Sequence, residues 1–515
     1  MTHFLCPLKS DNRKNSDGAH KKFPSVKNKV EGLRALNIAK YPVKQNDFMA
    51  KSTHSRPLGM TERVLLDREK INNWGTVTSV LLLDSHEELN QDHLRKALGL
   101  LPKRFPLLRM QINESGAEPC FEEMENPETV DFRVLDEIMA DEWEKGFEEE
   151  ADGPPFILET GPLWRVGLLR ESFREDKYNN ALLFTFQHTI CDALSVFQLQ
   201  QKLVEFLAAL HNGDEFEVKS LPLRPPLESL LSNRGEPSTG EKVLISSFFA
   251  LQRAKTFFVK PNNLYLSVYP PVADSNPSVK KKTCLLGRSL SEEDTKLLIK
   301  NCKANKCTVH GAITASTHQA IARILRVKKH DLQTPVSIDS AYTVSLRKEC
   351  QPKVETFEFG AYMTASALSI SVPLAYPDDK DGFWEFARTC TREVHSQLDS
   401  GKHLNLLKLY YCAGSKAYCN LHNYEHNEGR RSQVITITNC GALQTSQGGE
   451  CPFKFAGMYF GLRGERLGHV FGNNILTVDG KLYWAVEYFP HVTTKAQAED
   501  YITSSMQILK DICAQ

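Results

Sequence analysis

Residues 181–186, Ala-Leu-Leu-Phe-Thr-Phe, are apolar at every position but Thr185. A run so short and so continuous fits a central strand covered on both faces. Further on, Leu203, Phe206, Leu207 and Leu210 recur at i, i+3, i+4 and i+7, the pattern of an amphipathic helix that His211-Asn212-Gly213 would end. Gln187-His188-Thr189-Ile190-Cys191-Asp192-Ala193 joins the two. A buried strand running through a polar loop into an amphipathic helix requires a layered α/β arrangement. The loop at the end of such a strand is where reactive side chains are commonly displayed.

Within that loop His188 and Asp192 stand four residues apart. An imidazole with an ordinary pKa near 6.5 is neutral at pH 7 and can take a proton. Asp192 can fix the loop, pair with a cation, or N-cap the following helix beside a histidine that merely packs. The spacing H-x-x-x-D is short, and by itself it leaves both readings open.

The same two periods recur elsewhere. Val77–Leu83 reads as a buried strand, Leu94, Leu98 and Leu101 as one face of a helix, and Trp164, Val166 and Leu168 as a further strand. Residues 214–280 are broken by prolines and carry one apolar helical piece, Ile245–Val259. Ser291-Glu292-Glu293-Asp294 resembles a capping box, Thr308 is placed to cap a helix bearing Ile313, Ile321 and Ile324, and Thr494 with Gln497 opens a last helix to about Ile512. Strands are expected at Val434–Thr438, Phe453–Phe460, His469–Val478 and Leu482–Phe489. The expected organisation is a disordered basic tail at 1–55, an N-terminal lobe at 56–215, a proline-rich crossover at 216–280 and a C-terminal lobe at 281–515. The fold class is α/β (α+β), two lobes with mixed sheets flanked by helices.

Composition removes several function classes. Lys+Arg and Asp+Glu both number 63, so the formal net charge is zero, whereas nucleic-acid binders usually carry a basic excess. No run of 18 apolar residues is present, so no transmembrane helix is expected. The 13 cysteines are scattered with no C-x-x-C pair, which matches no zinc ribbon and suits a reducing compartment. Met1–Ser10 lacks the apolar core of a secretory signal, so a cytoplasmic location is expected.

Several segments together resemble the acyl-CoA-dependent acyltransferases with the chloramphenicol-acetyltransferase-like fold, above all the alcohol acetyltransferase branch, related to the BAHD enzymes and to condensation domains. The resemblance spans about residues 56–513. Arg56-Pro57-Leu58-Gly59-Met60-Thr61-Glu62 resembles the family's opening motif, and Leu98–Arg109 its helix-to-strand passage. Gln187-His188-Thr189-Ile190-Cys191-Asp192-Ala193 matches the H-x-x-x-D motif. Cys307–Ala312, Ser345-Leu346-Arg347 and Thr438-Asn439-Cys440-Gly441 follow in the family's order. The resemblance implies a tunnel between the lobes, entered by CoA and acceptor from opposite faces, with His188 as general base. It implies Asp192 turned away from the imidazole onto an arginine, for which Arg347 is the candidate. Asn439 lies at a strand end before Gly441, where its side-chain amide can reach the substrate or oxyanion or serve as a turn residue. The resemblance implies acyl-CoA, most simply acetyl-CoA, as co-substrate, a small alcohol as acceptor, lipophilic ones included, no bound metal or prosthetic group, and a monomer.

Two departures narrow the branch. Condensation domains carry a second histidine where this chain has Gln187, and the D-F-G-W-G string of plant BAHD enzymes is absent. A carrier-protein-dependent condensation reaction therefore stands as the alternative. His422, Glu425 and His426 form an H-x-x-E-H string of the kind inverted zinc peptidases use, but asparagines and a glycine surround it and no apolar stripe would hold it in a helix. Cys191 offers an acyl-cysteine route; its place inside the variable part of the motif fits packing better.

Overall fold

The computed structural model describes residues 55–514 apart from 233, 257–262, 330–334, 374–379, 422–430, 446–451, 465 and 467. The expected tail at 1–55 lies outside them save for Ser55, and so does His422–His426.

The apolar run at 181–186 is the middle of a strand, Lys177–Gln187, that is buried from Asn180 onward. It pairs antiparallel with Thr76–Ser85 on one side, from Thr76 opposite Gln187 to Ser85 opposite Tyr178, and with Trp164–Arg170 on the other. Asp131–Met139 adds a parallel edge to Trp164–Arg170, and the short Ser172–Arg174 pairs beside Lys177–Gln187. Gln91–Arg104 and Ala193–Asn212 pack on each other against this sheet and bury Leu94, Leu98, Leu101, Leu203 and Leu207.

The last member of this sheet comes from far along the chain. Phe453–Leu462 pairs antiparallel with Thr76–Ser85, from Phe453 opposite Ser85 to Leu462 opposite Val77. The expected lobe at 281–515 is thus not closed on itself: it lends a strand to the sheet of the first half. The physical reason is edge pairing, since Thr76–Ser85 is buried along most of its length and would otherwise present an uncovered apolar edge. The expected crossover at 216–280 is helical in part, with Leu227–Leu230, Thr239–Thr256, Leu264–Val268 and Val272–Ser275.

A second sheet runs in the order Met363–Val372, Val336–Ser345, Gln433–Leu443, His469–Val478, Lys481–Tyr488, Cys284–Ser289. Its three central neighbours are parallel and the outer pairs antiparallel, so it is mixed. The long helices Val309–Lys328, Lys380–Asp399 and Lys495–Ala514 pack with it around Ile313, Ile321, Trp384, Trp484 and Tyr501. A three-stranded sheet of Ser55–Pro57, Cys120–Glu123 and Met110–Asn113 completes the strands described.

The opening segment acts as a clamp. Arg56 forks onto Glu62 at 2.8 and 2.6 Å, and Glu62 reaches back to the Gly59 amide at 2.7 Å, closing the start of helix Met60–Asn72. A Cβ on Gly59 would lie 2.5 Å from Pro226 Cβ, so the crossover approaches too closely for any larger residue.

Candidate active site

His188 opens a single 3-10 turn, His188–Ile190, between the buried strand and helix Ala193–Asn212. The turn is braced from below. The Gln187 carboxamide oxygen accepts from the Thr189 amide at 2.5 Å, and its nitrogen donates to Glu69 Oε2 at 2.6 Å. Gly75, at φ 118°, ends the link between helix Met60–Asn72 and strand Thr76–Ser85, and Trp74 before it sits 6.4 Å from the His188 ring.

Only 6% of His188 is exposed. Its Nδ1–H donates to the Cys191 carbonyl at 2.8 Å. A carbonyl accepts only, so Nδ1 carries the hydrogen and Nε2 keeps its lone pair. Burial lowers the imidazole pKa below its ordinary value, and the Cys191 carbonyl and the Asp192 charge oppose that shift. The ring is thus held towards its neutral form, with its tautomer fixed and Nε2 free of hydrogen.

Asp192 is fully engaged away from His188. Oδ1 caps the helix by accepting from the Ser195 amide at 2.9 Å. Arg347 grips both oxygens, Nη1 to Oδ2 at 2.5 Å and Nη2 to Oδ1 at 2.9 Å, and the Tyr362 amide donates to Oδ2 at 3.1 Å. Arg347 also donates to Ser195 Oγ at 2.9 Å and to the Glu358 carbonyl at 3.3 Å. Burial works against the carboxylate charge, yet the Arg347 guanidinium and these hydrogen bonds hold the Asp192 pKa below the usual range. The pair ties helix Ala193–Asn212 to the segment after strand Val336–Ser345. The Ser195 hydroxyl adds to that tie, lying 2.8 Å from the Gly360 carbonyl and 3.0 Å from its amide.

Asn439 and Gly441 meet each other. Asn439 Oδ1 accepts from the Gly441 amide at 2.9 Å, which turns the strand end at Gly441, φ 79°. Neither makes a hydrogen bond to His188 or Asp192 among the described residues. Cys440 between them is near enough to feel the Asp192 and Arg347 charges, and burial pushes its thiol up to about 12. The turn therefore borders the Asp192–Arg347 pair. Burial also raises the Cys191 thiol well above its ordinary value, which keeps it protonated and a poor nucleophile.

Sequence reasoning passed over Ser195, Tyr362, Gly360, Glu69, Trp74 and Arg68. Ser195 had a signal, since D-x-x-S before an apolar periodic run marks a helix start. The others come from distant segments, and nothing local marks them. Among the described residues no group of three or more His, Cys, Asp or Glu side chains could hold a metal ion. No helix among them is long and apolar enough to cross a membrane.

The model of the alcohol acetyltransferase family matches residues 154–511, and that of the condensation domain matches residues 77–225. Phosphinothricin tripeptide synthetase PhsC of Streptomyces viridochromogenes is 34% identical over 136 residues, 25% of this chain and only 12% of its own length. The trichothecene 15-O-acetyltransferase TRI3 from Fusarium sporotrichioides superposes with a TM-score of 0.62 at 12% identity, covering 89% of this chain and 95% of that one. Polyketide synthase associated protein 5 from Mycobacterium tuberculosis superposes with a TM-score of 0.59 at 14% identity, covering 89% and 98%. These likenesses agree with the fold class expected from sequence, and the family model spans well over half of the chain. This chain belongs to the alcohol acetyltransferase family, within the acyltransferases of chloramphenicol-acetyltransferase-like fold.

Proposed function

We propose that this chain moves an acyl group, acetyl in the first instance, from free acyl-CoA to the hydroxyl of a small alcohol, with His188 as general base. The observation that carries the reading is the Nδ1–H bond to the Cys191 carbonyl, which leaves Nε2 as the one basic atom of the motif. As the acceptor oxygen attacks the thioester carbon, Nε2 takes the hydroxyl proton. The tetrahedral centre collapses, the carbon–sulfur bond breaks, and Nε2 returns the proton to the CoA sulfur. The products are an ester and free CoA. Base catalysis of this kind contributes ~10²–10⁴-fold. Asp192 and Arg347 act by position, holding the turn that presents His188. Asn439 commits its oxygen to Gly441, so its Nδ2 is the end able to donate to an oxyanion or acceptor.

The second reading is a carrier-dependent condensation-type transfer, favoured by the condensation match over residues 77–225. Against it, Gln187 is committed to Glu69 and Thr189 and supplies no second imidazole. The test sets acetyl-CoA, longer acyl-CoAs and acyl-carrier thioesters side by side over an alcohol panel, reading free thiol release. Turnover with acetyl-CoA is expected. Turnover confined to the carrier thioester would move the protein to the condensation branch. A cytoplasmic, monomeric protein without a prosthetic group accords with this reading.

A further inference from the structure

One cation near His188 has no acid partner among the described residues. Arg68, on helix Met60–Asn72, donates through Nη2 to the Tyr410 hydroxyl at 3.0 Å and the Tyr418 hydroxyl at 3.1 Å. Its guanidinium lies 4.6 Å from the centre of the Trp74 ring, and Trp74 is the residue beside His188. Its Nε is buried with no partner, and so is the Trp74 Nε1–H. No carboxylate pairs with Arg68 among the described residues. The next residue, Glu69, is held elsewhere by Gln187 and Thr76. Arg68 is only partly buried, and its charge acts on His188 and helps to keep the imidazole neutral.

A guanidinium packed among three aromatic rings, with its Nε out of reach of water, is costly unless an anion or several acceptors satisfy it. Two phenol hydroxyls are weak compensation, and two donors in the same wall remain unused. Trp74, Tyr410 and Tyr418 frame the guanidinium, and Trp74 is also the ring beside His188.

We propose that Arg68, framed by Trp74, Tyr410 and Tyr418, recognises a carboxylate on the acceptor, so that the preferred substrate is a hydroxy acid with its hydroxyl at His188 Nε2. Trp74 neighbours both groups, its ring centre 4.6 Å from the guanidinium carbon and 6.4 Å from the imidazole centre, so the acceptor's hydroxyl and carboxylate would stand several carbons apart. The same chemistry could come from the phosphates of CoA. The acceptor is favoured because the whole pantetheine arm separates those phosphates from the thioester, whereas Arg68 is one ring from the base. The inference rests on the acyltransferase reading and deepens it.

The experiment uses a series of ω-hydroxyalkanoates and their methyl esters with acetyl-CoA as donor. The wild-type protein is expected to prefer the acid over its ester in kcat/KM by roughly 10- to 100-fold, as a charge-assisted bidentate contact would give. Arg68→Met is expected to bring that ratio towards one, mainly through KM, and Arg68→Lys to restore part of it. Exchanging acetyl-CoA for acetyl-pantetheine should not change the effect of Arg68→Met. If it does, Arg68 reads the donor phosphates and the proposal is overturned. A wild-type protein that uses acid and ester equally overturns it too, whatever becomes of the variants. So does an Arg68→Met protein that keeps the ratio while losing thermal stability, since Arg68 would then be a strut. Calorimetric binding of hydroxy acid against ester, with no donor present, separates this idea from the reaction assignment. Preferential binding of the acid supports the Arg68 contact even if no acyl transfer is found, and equal binding refutes it.

Discussion

At His188 burial favours the neutral ring against the opposing pull of the Cys191 carbonyl, and that carbonyl fixes which nitrogen carries the hydrogen. A lowered pKa means that the base form is lost only as pH falls through a value below the ordinary 6.5. The acid limb of kcat/KM for acyl transfer should therefore lie below pH 6.5, and a limb above it would contradict the assignment. The Asp192–Arg347 pair makes a separate prediction. Each is 8% exposed or less at the side chain, so Asp192→Ala or Arg347→Ala leaves a buried charge without its partner, at a cost of ~3–5 kcal/mol. Chemical denaturation should show the double variant less destabilised than the sum of the two singles; simple additivity would mean they are not coupled. Much of this was legible in the chain. His188 and Asp192 stood out as a loop between a strand and a helix, and Arg347 followed from the resemblance. Trp74 and Arg68 were not legible, because they reach His188 only after helix Met60–Asn72 has packed beside the turn.

Helix ends were easier to read than strands. Thr308 caps its helix through the Gly311 amide at 3.0 Å, and Ser291 through the Asp294 amide at 3.0 Å. A cap is a local device and shows in local sequence. Val336–Ser345 and Met363–Val372 passed unmarked, because serines, threonines and small residues dilute their apolar alternation. They become strands by pairing along ten positions, from Val336 opposite Val372 to Ser345 opposite Met363. The helix that follows Thr308 carries a pH sensitivity unrelated to the chemistry. His318 is fully buried, with Nδ1 2.7 Å from the Thr314 carbonyl and Nε2 3.1 Å from Ser340 Oγ, and burial lowers its pKa to about 4. In the unfolded chain it binds a proton near pH 6.5, so between about 6.5 and 4 the unfolded state holds more protons. Stability should fall as pH drops through that window, by on the order of 2–3 kcal/mol from this residue. Denaturant midpoints measured from pH 7 to 4 should decline less steeply for His318→Asn than for the wild type. Equal slopes would show that another group is responsible.

Taken whole, the molecule is stitched across its two large sheets. Phe453–Leu462 completes the sheet of Thr76–Ser85, while Leu285, Leu476 and Tyr483 of the other sheet share its apolar core. Trp143 stacks on Tyr459 at 4.5 Å, and a Cβ on Gly287 would come within 2.3 Å of the Trp143 ring. Gly287→Ala should therefore wedge the contact and cost about 1–3 kcal/mol, seen as a lower denaturant midpoint. Calorimetry of the wild type should show one cooperative transition, and two well-separated transitions would show that the sheets unfold independently. The two-lobe character was legible from the periodicities and the proline-broken middle. The strand lent across the lobes was not, since a β pattern says that a strand exists and not which edge it joins. In the proposed reaction all of this scaffold serves one atom, His188 Nε2, and one measurement tests that role most directly. Acyl transfer from acetyl-CoA to an accepted alcohol, read as thiol release, should fall by ~10²-fold or more in a His188→Ala protein whose far-UV spectrum and melting midpoint match the wild type. Near-normal turnover in that folded variant would contradict the account.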